Sequence, residues 1–247
     1  MRIPRIFTTL PLQVGSELEL EQHCVRHLLQ VLRLKTGAPL ILFNGDSRDY
    51  SGKLIECGRK MVRVAISDCS DTEPPPLLEI NLGLGLSKGE RMDFAMQKSV
   101  ELGVTSITPL FTEHAVVRLT DERVANRTEH WRRVVTAACE QSGRRRLPGV
   151  NTPLPLSQWL AVADKPEACG ILLDHRACHT LDQINCEGRT INLLIGPEGG
   201  LSAAERRAAR AARFQPVQLG PRTLRTETAP LAAISAIQML WGDFRRI

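Results

Sequence analysis

The chain has 247 residues, 43% hydrophobic and 24% charged, with 32 basic against 27 acidic side chains and a net charge of +5. That length suits two small domains or one large one, and the balance is that of an ordinary globular protein, which excludes a low-complexity chain. No stretch approaches the roughly 20 apolar residues that span a bilayer as a helix, and the modest positive bias is compatible with a polyanion without identifying one.

Residues 1–72 read as β-rich. Arg5–Thr9, Pro39–Phe43, Tyr50–Cys57 and Lys60–Ser67 are strand-like runs, with turn signals at Asn44-Gly45-Asp46 and Cys57-Gly58-Arg59. Between the first two runs, the spacing of Leu28, Val31, Leu32 and Lys35 predicts a helix over His23–Leu34, with Gly37 available to cap it. Short strands plus one helix suggest a small barrel. His23 and His27 stand four apart, a spacing that holds a metal on some helices, but no metalloprotease pattern accompanies them and a surface role is expected. The basic residues Arg2, Arg5, Arg26, Arg33 and Lys35 are candidates for RNA phosphate contacts, which supply affinity but little sequence information.

Asp71-Thr72-Glu73-Pro74-Pro75-Pro76 reads as a stiff linker, giving domains at 1–72 and 77–247. Beyond it, strands and helices alternate. Leu78–Leu86 is a strand, Glu90–Leu102 a helix ended by Gly103, and Val104–Leu110 a strand. Glu113–Arg118 reads as a short strand and Glu122–Gln141 as a long helix with Trp131, Val134, Val135 and Ala138 on its core stripe. The consecutive Arg144, Arg145 and Arg146 repel one another unless an anion is near, and RNA phosphate is the expected anion. Leu156–Val162 is a helix; Gly170–Leu173 and Ile191–Ile195 are buried-strand candidates, the first followed by Asp174-His175-Arg176. Ala203–Ala212 and Ala229–Phe244 are helices, the last with a wide apolar stripe that suits a core or a second copy of the chain. This alternation predicts an α/β domain with a mostly parallel sheet.

Seven cysteines are present, an odd number without any C-x-x-C, so neither a disulfide framework nor a zinc site is expected. Cys178-His179 near Cys169 and Cys186 has the wrong spacing for a metal. Free thiols, with no signal-peptide apolar core in Met1–Phe7, imply a reducing compartment and a cytoplasmic protein.

Two glycine-bearing loops stand out near the carboxy-terminal end. Ile195-Gly196-Pro197-Glu198-Gly199-Gly200 follows the strand Ile191–Ile195 and precedes Ser202-Ala203-Ala204-Glu205, a capping box. Leu219-Gly220-Pro221-Arg222-Thr223-Leu224-Arg225-Thr226-Glu227-Thr228 follows Pro216–Leu219 and precedes the last helix. In an open α/β sheet such junctions lie at the carboxyl ends of the strands, where ligands bind. The first loop matches neither G-x-G-x-x-G nor a P-loop.

These two segments resemble the SPOUT class of RNA methyltransferases, and within it the family that methylates uridine at N3 in small-subunit ribosomal RNA. The stretch from Lys88 to Asp93 leading to Gln97-Lys98-Ser99-Val100-Glu101-Leu102-Gly103 is similar to the same family, as are Glu140 to Arg144 and His27 to Gly37. The resemblance covers nearly the whole chain in order. It implies a PUA-like RNA-binding barrel at 1–72 and, at 77–247, an α/β methyltransferase domain with a trefoil knot. It further implies a homodimer, S-adenosylmethionine as cofactor, and 16S ribosomal RNA, in an assembled or assembling 30S subunit, as substrate; no membrane partner follows. Leu194, Ile195, Gly196, Pro197, Glu198, Gly199, Gly200, Leu219 and Gly220 would then hold the cofactor, with Leu224, Thr226, Thr228 and Ala229 completing the pocket. N3–H of uracil is weakly acidic, so a base or an oxyanion stabiliser is needed. Arg225 is expected to stabilise the anion and Glu227 to act as base, with Glu198 as a second candidate. A SPOUT enzyme for ribose 2′-O or guanine N1, and an RNA-binding assembly factor without turnover, are the alternative readings.

Overall fold

The computed structural model describes residues 3–117, 120–186 and 188–245. It divides into two units, Met1–Pro75 with Cys139–Leu147, and Pro76–Ala138 with Pro148–Ile247.

The first unit is built on strands β1 (Arg5–Phe7), β2 (Glu17–Glu19), β3 (Pro39–Phe43), β4 (Tyr50–Cys57) and β5 (Val62–Cys69), with helix α1 (Gln22–Arg26) between β2 and β3. The sheet order is β1-β3-β4-β5-β2. Only β1 and β3 run parallel; the other pairs are antiparallel. Alternation does the sorting: Tyr50, Gly52 and Leu54 of β4 face inward while Ser51, Lys53 and Ile55 face out. The core gathers Ile6, Leu28, Leu40, Leu42, Val62 and Val64.

Two elements differ from expectation. The helix expected over His23–Leu34 stops at Arg26 and opens into a π turn, His27–Val31. The Leu32 amide reaches back five residues to the His27 carbonyl at 3.0 Å. The wider turn keeps Leu28 fully buried but leaves Val31 65% exposed, so the regular spacing of apolar residues is broken. Strand β2 was invisible because Glu17-Leu18-Glu19 offers one apolar side chain; cross-strand pairing of Arg63 with Glu17 at 2.8 Å helps hold it.

The loop carrying three arginines belongs to this unit, and its anions are internal. Arg145 pairs with Asp49 at 3.1 Å. The amides of Arg145 and Arg146 both donate to Glu73 at 3.1 Å. Arg5 is buried; it pairs with Asp49 at 2.6 Å, donates to the Cys139 carbonyl at 2.7 Å and lies 4.5 Å over the Phe43 ring. These contacts correct the phosphate reading of Arg5, Arg145 and Arg146: Arg5 and Arg145 are engaged by Asp49, and the Arg146 amide and guanidinium by Glu73, in place of the expected RNA phosphate.

Glu21, His23 and Cys24 bring ligand-type atoms within 4.8 Å of one another. Burial and the neighbouring Glu21 push the Cys24 thiol up to about 12, and it donates to the Phe7 carbonyl at 3.3 Å. Burial works to raise the Glu21 carboxyl, but hydrogen bonds from Thr8 at 2.6 Å and from the Thr9 amide and hydroxyl at 2.8 Å hold it down at about 2. The cluster is a hydrogen-bonded corner of the fold.

The second unit contains β6 (Glu79–Gly85), α2 (Glu90–Glu101), β7 (Ser106–Phe111), α3 (Asp121–Ser142, whose end folds with the first unit), β8 (Gly149–Val150), β9 (Leu154–Pro155), α4 (Leu156–Ala163), β10 (Ala168–Leu173), β11 (Thr190–Ile195), α5 (Ala203–Ala211), β12 (Phe214–Val217) and α6 (Thr228–Trp241). The strands form one parallel sheet in the order β12-β10-β11-β6-β7-β8, with β9 also on β7. Ile191 to Ile195 are all buried, as a central parallel strand requires. Residues 113–117 form a turn and bend, not the strand expected over Glu113–Arg118, whose last residue lies outside the described residues.

A polar ladder crosses this apolar sheet. Ser106 donates to Asn81 at 2.7 Å, Asn81 to Asn192 at 3.1 Å, and Asn192 to the Ala163 carbonyl at 2.8 Å. Shifting β6, β7 or β11 by one residue would bury these groups unpaired, so the ladder pins their register.

The cysteine expectation is also corrected. Cys169 and Cys186 are joined by a disulfide, with Cα atoms 5.5 Å apart. Parallel pairing of β10 with β11 brings the two ends of the intervening segment together, a proximity that linear spacing does not show. Cys24, Cys57, Cys69, Cys139 and Cys178 are free.

Because the folded Glu21 carboxyl titrates below an unfolded glutamate's ~4.3, its contribution is complete above that value and is lost as pH falls through about 2. Glu21→Gln should lower the melting temperature at pH 7 and flatten its decline between about pH 5 and pH 2.5, measured by calorimetry. Parallel melting curves for the two proteins across that range would contradict this.

Candidate active site

The carboxyl ends of β10, β11 and β12 open onto one cleft of about 580 Å³, lined by residues of all three following loops. This size is ordinary for a small-molecule site. After β11 the chain turns sharply: the Gly200 amide donates to the Pro197 carbonyl at 2.8 Å, with Gly200 at φ 67°. The loop is pressed onto β6. A Cβ placed on Gly85 would lie 2.4 Å from the Pro197 nitrogen and 2.8 Å from the Gly196 carbonyl carbon. On its other side His114 packs against Gly199, its Nδ1 3.1 Å from the Gly199 carbonyl oxygen. The capping box is formed: the Ser202 amide donates to Glu205 at 2.8 Å, and the Glu205 amide to Ser202 at 3.2 Å.

The loop after β12 forms the opposite wall. It runs straight into α6, whose first amides, Thr228 and Ala229, donate to the Arg225 carbonyl at 2.9 and 2.8 Å. Thr226 is buried. Glu227 lines the cleft, and its Oε2 is buried without a hydrogen-bond partner among the described residues. Arg222 and Arg225 are exposed at the cleft, and among the described residues neither has a carboxylate within 4.0 Å. Glu198, by contrast, is engaged: Oε1 accepts from Arg91 at 3.4 Å and from the Lys88 amide at 3.3 Å. It fastens the first loop to the start of α2, which argues against its role as a base.

Ile195, Gly196, Pro197, Glu198, Gly199, Gly200, Leu219, Leu224, Arg225, Thr226, Glu227 and Ala229 all line the cleft. Leu194, Gly220 and Thr228 do not. Leu194 is fully buried in the sheet core, Gly220 is an exposed turn residue at φ 77°, and Thr228 is an exposed first residue of α6. The third wall, Leu172 to Arg176, was not assigned. Its Asp174 is buried, accepts from the Arg176 amide at 3.1 Å and lies 3.7 Å from Arg206. The available signal was Asp174-His175-Arg176 directly after a buried strand, the same strand-end position as the other two loops.

In the first unit, Arg26, Arg33 and Lys35 are exposed, with Arg33 in the left-handed region at φ 53°. Arg144 accepts at its carbonyl from Arg5 at 3.2 Å. Arg2 lies outside the described residues.

Comparison with known proteins places this geometry. Residues 73–238 match the model of an RNA methyltransferase domain, and residues 21–67 that of an RNA methyltransferase PUA domain. Ribosomal RNA small subunit methyltransferase E of Buchnera aphidicola is 34% identical over 98% of both chains; the Bacillus subtilis protein of that name is 28% identical over 89% of this chain and 90% of its own. A methyltransferase from Legionella pneumophila, solved with S-adenosylmethionine, superposes with a TM-score of 0.94 at 37% identity, covering 98% of this chain and all of that one. The ribosomal RNA small subunit methyltransferase E of Neisseria gonorrhoeae, also bound to S-adenosylmethionine, gives 0.90 at 38% identity with the same coverage. With both domain models in order and relatives aligned end to end, this chain belongs to the SPOUT-class family of ribosomal RNA small subunit methyltransferase E.

Proposed function

We propose that this chain methylates N3 of a uridine in 16S ribosomal RNA, with S-adenosylmethionine as methyl donor. One observation carries the reading: a single cleft is lined by both glycine-bearing loops, by the exposed Arg225, which has no carboxylate within 4.0 Å among the described residues, and by Glu227. The cleft suits the cofactor's chemistry. Leu201, Leu219, Leu224 and Ala229 offer apolar surface for a flat base, and Asp174 offers an acceptor for hydroxyl and amino groups. When bound, S-adenosylmethionine supplies a reactive methyl group, which leaves binding, orientation and deprotonation to the protein.

In this reading Glu227 accepts the N3 proton and Arg225 stabilises the negative charge left on the uracil oxygens. The uridine must leave its stack to reach them. Domain 1–72 acts as the PUA-like RNA-binding module, with Arg26, Arg33, Lys35 and Arg144 toward phosphate, and domain 77–247 as the methyltransferase with its trefoil knot. A homodimer is part of the same reading; α6 leaves Met239 59% exposed, an apolar side chain suited to a second copy. The cytoplasmic assignment rests on the substrate and not on the cysteines, since Cys169 and Cys186 are bonded.

Arg225→Ala should leave S-adenosylmethionine affinity within about two-fold and lower methylation by roughly 10²–10³-fold, read by calorimetry and by mass mapping of the modified nucleotide. Full activity removes Arg225 from the mechanism; a methyl group on ribose or guanine removes the uridine reading. Gly85→Ala should act oppositely. Its Cβ would displace backbone at Pro197 rather than a flexible side chain, so cofactor affinity should fall at least about ten-fold while circular dichroism stays native. Unchanged affinity would show that the loop's seating on β6 does not shape the cleft.

A further inference from the structure

A second cleft of the methyltransferase unit, of about 690 Å³, has no part in the site described above. Its cationic wall is the first half of α3. Arg123, Asn126, Arg127 and His130 fall at i, i+3, i+4 and i+7, one face of the helix, and all four line the cleft. Lys88 and Gly89 form the facing wall. Lys88, Arg123 and Arg127 are exposed, and among the described residues none has a carboxylate within 4.0 Å of its side-chain nitrogens. Arg132, Arg206 and Arg213 of this unit are paired, with Glu129, Asp174 and Asp164, while Arg222 and Arg225 at the first cleft share the open state of Arg123 and Arg127 among the described residues. His130 is paired with Asp93 at 2.8 Å, so the nearby acid is already taken.

Like charges at i and i+4 on a helix disfavour one another. Here a third cation converges on the same hollow, an arrangement suited to an anion. The cleft also has apolar surface, with Val116 60% exposed at its edge and Met92 and Trp131 buried beneath. A phosphate flanked by a sugar or base offers both. Position adds a further constraint. The Lys88–Arg91 turn is shared: Lys88 and Gly89 face this cleft, Arg91 faces the first, and Glu198 ties the turn to the glycine loop.

We infer that this second cleft is a subsite for the substrate RNA strand, with Arg123, Arg127 and Lys88 gripping a phosphodiester and Val116 contacting the attached nucleoside. The inference rests on the proposed function and names how its substrate is held beside the reacting uridine. Such contacts add affinity and a salt dependence of about 0.7 per phosphate neutralised on a single strand.

The test uses the full chain carrying Arg123→Ala and Arg127→Ala together, both on an exposed helix face. Binding to a 16S ribosomal RNA transcript is titrated at several salt concentrations, beside S-adenosylmethionine affinity and binding to small-subunit particles. The expected result is at least a ten-fold loss of RNA affinity, a salt slope reduced by about 0.7, and cofactor affinity within two-fold of wild type. Unchanged RNA affinity in the variant, with wild type binding normally, overturns the subsite alone. A loss confined to particles, with naked RNA bound as before, assigns the cleft to a ribosomal protein and also overturns it. Wild type that binds no small-subunit RNA at all overturns the function and the subsite together.

Discussion

The seating of one loop's backbone on one strand is the constraint on which the shape of the cleft depends. Residues 196 and 197 lie so close to Gly85 that no side chain fits between them. That contact fixes how far the loop after β11 leans over the sheet, and Glu198, held by Arg91 and the Lys88 amide, locks it from the outer side. The capping box at Ser202 and Glu205 then starts α5 in a set direction. A loop placed this way leaves room for the segment after β12 to close over the cleft, and the first amides of α6 anchor that segment through the Arg225 carbonyl. Neither glycine-bearing loop makes a site alone.

Charge is distributed on the same logic in each unit taken separately. In the first, Arg5 and Arg145 share Asp49, and the amides of Arg145 and Arg146 share Glu73, so that cluster is a structural pin. In the second, Arg206 and Arg213 are paired, whereas Arg222 and Arg225 stand at the cleft without a carboxylate among the described residues. An arginine count distinguishes none of these cases. What separates a pin from a ligand-facing cation is whether folding brings a carboxylate within reach.

Much of this was legible in the order of residues. Strand-like runs with turn signals at Asn44-Gly45-Asp46 and Cys57-Gly58-Arg59 located β3 and β4, the Pro74–Pro76 run marked a change of pattern, and the helix–strand alternation after it announced a parallel sheet. The glycine spacing at 196–200 and the polar loop at 222–227 pointed to strand ends, where the cleft lies. The rest needed three dimensions. The π turn at His27–Val31 follows an ordinary helical spacing, so only packing reveals it. The Cys169–Cys186 bond joins residues whose nearness is created by strand pairing. The Leu172–Arg176 wall joins the site because β10 lies between β12 and β11, an order that no local pattern encodes.

The central claim is that one ligand touches loops from three strands at once. Hydrogen exchange along the backbone, with and without saturating S-adenosylmethionine, tests it most directly. The account predicts added protection in 195–201, 219–229 and 172–176 together, with 1–72 unchanged. Protection confined to one of those segments, or appearing elsewhere, would contradict it.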